Sequence, residues 1–146
     1  MATLTELLLG DARPKVEADC AALIEAEVAS KRGATGFAIK AGFKAVRAFK
    51  RDIVPDAVKT LLPEFVAKIE PFYAEHLAAG GADFAVFVEA KGDGIADALL
   101  SITDERAKNS SYKVLVKAYN RLRPLGKKQV VAAIPRIGQM LKANGC

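Results

Sequence analysis

An all-α fold is predicted for this chain by three observations. Apolar residues recur at helical spacing along nearly its whole length, and glycine and proline breaks divide it into short and medium segments. The third is that its one alternating apolar run has no second strand to pair with. Its 146 residues suffice for one domain, and 51% hydrophobic residues can supply the core. The expected architecture is a single compact bundle of about seven or eight helices.

The opening stretch, MATLTELLLGDARP, holds a three-leucine run with Glu6 and Asp11 and breaks at Gly10. It lacks the basic start and long apolar core of a secretion signal. Nowhere do apolar residues approach the 18 in succession that a transmembrane helix needs. A cytoplasmic location is therefore expected. Pro14 then opens a segment whose apolar face is Val16, Cys20, Leu23, Ile24 and Val28. Two cysteines 126 residues apart make no disulfide framework, so Cys20 is expected as a small core residue and Cys146 as an exposed thiol.

After a break at Gly33 comes GATGFAIKAGFKAVRAFKR, residues 33–51, with five basic residues and no acidic one. Projected at about 100° per residue, Lys40, Lys44, Arg47 and Arg51 form a stripe roughly 60° wide. Ile39, Gly42, Val46, Phe49 and Ile53 fall on the far side. Phe37 and Phe43 flank the stripe, and Lys50 lies outside it. Gly36 suits the helix start, and Gly42 suits the close approach of a neighbouring helix.

The next segment, beyond a break near Pro55, carries Val58, Leu61, Leu62, Phe65, Val66 and Ile69 on one face. Pro63 and Pro71 within it, like Pro135 later, are expected to kink or restart the helix. His76, close to Gly80–Gly81, reads as a helix-end residue facing the dipole. DFAVFVEA alternates as a strand would, but Phe84, Phe87 and Val88 also fit one helical face, and helix is preferred. Asp93 reads as the N-cap of the following segment, with Asp97 near its first turn. NSS marks the next break. Val114, Leu115, Ala118, Tyr119 and Leu122 then define a face, Pro124–Gly126 a further break, and Val130, Ile134, Ile137 and Leu141 the last face.

Charge falls into blocks: net −4 over residues 1–30, +7 over 31–51, −8 over 52–105 and +10 over 106–146. The alternation suggests a duplication. ADCAALIEAEVASK aligns with ADALLSITDERAK, IKAGFKAVR with VKAYNRLR, and AVKTLLPEFVAKI with QVVAAIPRIGQML, at offsets of 78, 77 and 72. The halves would span about residues 13–72 and 92–144. A second basic stripe, Lys113, Lys117 and Arg121, then matches the first.

Such stripes can bind phosphate groups of nucleic acid or of an anionic membrane by neutralising charge and releasing counterions. The competing account is a solvated face, or one paired with acidic helices of the same domain. The glycines match neither phosphate-loop spacing. His76 has no partner at metal-ligand spacing, Asp93 to Glu105 lack an EF-hand's ligand density, and no serine sits with a base and an orienting group. No cofactor or metal and no enzymatic activity are therefore expected.

The function expected is non-enzymatic binding or scaffolding. Lys40, Lys44, Arg47, Arg51, Lys113, Lys117 and Arg121 would engage nucleic acid, an acidic protein or a membrane surface. One alternative is a carrier of an apolar molecule or lipid in an inter-helical pocket lined by Phe65, Ile69, Phe72, Phe84 and Phe87. Another is a structural subunit of a homo-oligomer, with the charge blocks in complementary contacts between chains.

Overall fold

A computed structural model describes residues 2–146. Over these residues the chain forms seven helices and no strand: α1 (Leu4–Leu9), α2 (Arg13–Ser30), α3 (Gly33–Phe49), α4 (Ile53–Ala78), α5 (Phe84–Ala90), α6 (Gly92–Lys108) and α7 (Lys113–Ala143). The all-helical bundle is as expected, and the alternating DFAVFVEA run is α5.

Side chains set several helix starts. The Thr3 hydroxyl accepts the Glu6 N–H at 3.2 Å to cap α1. Pro14 occupies the first turn of α2, where its missing N–H costs nothing. Asp83 caps α5, its carboxylate accepting the Ala85 N–H at 2.9 Å. Asp93 does not cap α6. That helix starts at Gly92 behind Lys91, so Asp93 stands in the first turn, where its charge faces the positive end of the dipole.

The long helices depart most from expectation. Neither α4 at Pro63 and Pro71 nor α7 at Pro124 and Pro135 restarts, and the expected break at Pro124–Gly126 is absent. Each proline removes one backbone hydrogen bond. The buried face of α4 nevertheless continues past both prolines as Val54, Val58, Leu62, Val66, Ile69, Tyr73 and His76, at spacings of three and four. Continuous burial outweighs two missing bonds.

These two helices organise the bundle. On α4 pack α1 and α2, and on α7 pack α3, α5 and α6. The core between them includes Leu4, Val16, Leu62, Ile95, Ile134 and Leu141. The Glu70 carboxylate ties α1 to α4 by accepting the Leu4 N–H at 2.9 Å. Of the segments alike in sequence, the first three are α2, α3 and α4, whereas the later basic and proline-bearing pieces run on as one helix, α7.

His76 lies in the last turn of α4 yet is buried, 5% exposed, within a cluster of Tyr73, Phe84 and Phe87. Gly81 closes over it: a Cβ there would lie 2.4 Å from the imidazole ring. The expected helix-end histidine is thus also an aromatic core residue.

Candidate ligand cavity and basic surface

Five helices leave a cavity of about 370 Å³ between them. Leu23 and Val28 of α2, Ile39 and Phe43 of α3, and Phe65 and Ile69 of α4 line one part of it. Leu99 of α6 and Leu122, Val130 and Ile137 of α7 line another. Most of these residues occupy the inward faces that their spacing predicts; Phe43, expected at the edge of the basic stripe, and Leu99, assigned to no face, join them. The cavity arises because α3, which reaches the bundle mainly through α7, stands off from α4.

Only two of the five expected pocket residues, Phe65 and Ile69, are in this wall. Phe72 stands seven residues beyond Phe65, about 10 Å farther along α4, with its ring 3.5 Å from the position of a Cβ on Gly94. Phe84 and Phe87 belong to the His76 cluster. Chain spacing located the helical face but not the cavity's end.

A few polar groups interrupt the apolar wall. Glu27 in the last turn of α2 and Lys31 just past its end form an ion pair of 3.0 Å with both side chains largely buried. Arg136 of α7 reaches the other Glu27 oxygen at 2.7 Å, so one carboxylate joins two cations. Neither Glu27 nor Arg136 was a sequence candidate; the signal available was the Glu27–Lys31 spacing.

Thr103 lines the cavity, its hydroxyl 2.8 Å from that of Tyr119. Tyr119 donates to Asp104, which Arg123 also grips at 2.7 and 3.0 Å. The bonds from Arg123 and Tyr119 hold the Asp104 carboxyl below its ordinary range. Burial, with Asp104 nearby, raises the Tyr119 phenol. Cys20 also faces the cavity, and burial, reinforced by Asp19 and Glu17, pushes its thiol up to about 11. Cys146 is half-buried rather than exposed, with burial and Glu70 lifting it to about 11.

The expected basic residues divide. Arg47 is paired, its guanidinium 2.5 Å from Glu25 of α2 and 5.4 Å from the centre of the Phe43 ring. Arg51 lies past the end of α3, in the turn before α4. Lys40, Lys44, Arg51, Lys113, Lys117 and Arg121 are exposed. Among the described residues, none of these six has a carboxylate within 4.0 Å.

Elsewhere acidic and basic helices do pair, as in Arg106–Glu64, Lys127–Asp97 and Lys142–Asp83. Gly42 seats α3 against Leu122 of α7, where a Cβ would come within 2.7 Å of that side chain. By helical register the two stripes point away from this seam.

Among the described residues, no three His, Cys, Asp or Glu side chains converge as a metal site. No helix there is long and apolar enough to cross a membrane.

The fold and cavity define a small all-α bundle with a partly open apolar cavity between its helices. The chain belongs to DUF6918, a family of unknown function, which it matches over residues 4–144. No curated protein and no solved structure matches it.

Proposed function

We propose that this bundle is a non-enzymatic binding protein that holds a small apolar molecule between its helices. The observation that carries this reading is the apolar chamber of about 370 Å³ walled by five helices. Its size lies within the range of roughly 300–1,000 Å³ usual for small-molecule sites. Apolar walls favour an apolar occupant over water, and each ligand methylene transferred to them gains about 0.8 kcal/mol. Glu27, Lys31 and Gln129 supply the few polar groups that would orient the ligand.

The test is binding of a neutral fluorescent probe, N-phenyl-1-naphthylamine, displaced by straight-chain alcohols of increasing length. Affinity should rise roughly fourfold per added methylene until the chain outgrows the chamber. Val130→Phe, which adds a ring at the wall, should abolish binding while the helical circular dichroism is kept. Absence of probe binding, or unaltered binding to the folded variant, would remove this reading.

A further inference from the structure

The outward face of α3 combines two features. Lys40 and Lys44, like Arg51, Lys113, Lys117 and Arg121, have no acidic partner among the described residues. Phe37, 77% exposed, stands on the same helical face as Lys40 and Lys44, while Phe49 and Tyr112, 44% and 59% exposed, lie where the end of α3 meets the start of α7. Phe49 and Tyr112 meet with ring centres 5.6 Å apart, bridging the C-terminal end of α3 and the N-terminal end of α7. Phe49 was expected on the packed side of its helix. It stands at the C-terminal end of α3, 44% exposed, with the Tyr112 ring against it.

We propose that this face docks on an anionic lipid bilayer, with Phe37 entering the headgroup region and Lys40 and Lys44 binding lipid phosphates and carboxylates. Charge complementarity assigns the partner's sign, since residues 31–51 and 106–146 contain no acid to repel it. The apolar content favours lipid over nucleic acid. Between its lysines α3 exposes Ala34, Ala41, Ala45 and Ala48 beside Phe37. Methyl groups on an outward helical face offer base edges no donor, but they suit the boundary between headgroups and acyl chains.

The opposite face of α3, through Ile39 and Phe43, lines the chamber. One helix thus separates the docking surface from the cavity, a short route by which an apolar ligand could enter from the bilayer. Docking goes beyond the ligand-binding reading and does not depend on it.

Co-sedimentation of the full chain with vesicles tests the proposal, using phosphatidylcholine with or without phosphatidylserine. Binding should require phosphatidylserine and weaken as salt rises. Each Lys or Arg near such a surface is worth about a fivefold change in affinity, so Lys40→Gln and Lys44→Gln together should cost roughly 25-fold. Phe37→Ala should weaken binding further without altering the helical circular dichroism. Val130→Phe should sediment like the parent, which separates failure of the cavity from failure of docking.

No sedimentation at low salt, equal binding to uncharged vesicles, or indifference to the lysine changes would each overturn the proposal. So would binding to duplex or single-stranded nucleic acid that phosphatidylserine vesicles fail to compete.

Discussion

Cys20 shows how neighbours reset a side chain's chemistry. Its place in an apolar run predicts a core residue, and it does sit between helices, but on a cavity wall that faces free space. Burial and two nearby carboxylates raise its pKa from the ordinary 9.0 to about 11. A thiol whose folded value is raised stays protonated up to that value and is a poor nucleophile below it. In the Cys146→Ser variant, iodoacetamide alkylation of the native protein should accelerate toward pH 11. In urea the same thiol should follow a curve centred near 9.0. Alkylation of the native thiol with the urea profile would place Cys20 in solvent. Glu27, two turns along the same helix, showed in sequence only its spacing to Lys31, because its second cation, Arg136, is more than a hundred positions away.

Among the elements, α4 and α7 govern the fold, and both carry prolines that local rules treat as breaks. Pro71 is exposed in the interior of α4, where its ring removes a hydrogen bond and contributes little packing. Pro71→Ala should therefore stabilise the protein by about 1–3 kcal/mol, read as a higher urea midpoint with unchanged slope. A lower midpoint would mean that the ring packs usefully. Helix existence and most inward faces were legible in the 3.6-residue period, and so was a close helix approach at Gly42, although not that the neighbour is α7. The continuity of α4 and α7 was not, because it depends on what the prolines' neighbours bury rather than on the prolines. The α6 cap was misplaced by two residues: the helix starts at Gly92, which is buried against Ile134 of α7.

For the whole molecule, three aspartates lock distant parts together. Asp19 accepts from Lys15 and from Asn144, Asp83 from Lys142 and the Ala85 N–H, and Asp104 from Arg123 and Tyr119. Those bonds, Lys15, Lys142 and Arg123 foremost, hold each carboxyl below the ordinary 3.8. A carboxyl lowered in the folded state adds stability that is complete above its unfolded value and is lost as pH falls through its folded one. The urea midpoint should stay level from neutrality to about pH 4 and fall below it, with high salt blunting the fall because these pairs are partly exposed. A midpoint that rises on acidification would contradict the assignment of these pairs.

From the amino-acid order alone came the all-helical class, the amphipathic face of most segments and the alternating blocks of charge. All of these depend on neighbours within a turn or two, where period and composition act directly. Tertiary structure alone decided that helices run through their prolines, that a cavity remains between five helices, and that Arg47 is paired while Lys40 and Lys44 have no acidic partner among the described residues. Each of these depends on which distant side chains meet. A cavity in particular is the space that five separate segments fail to fill, and no single segment encodes it.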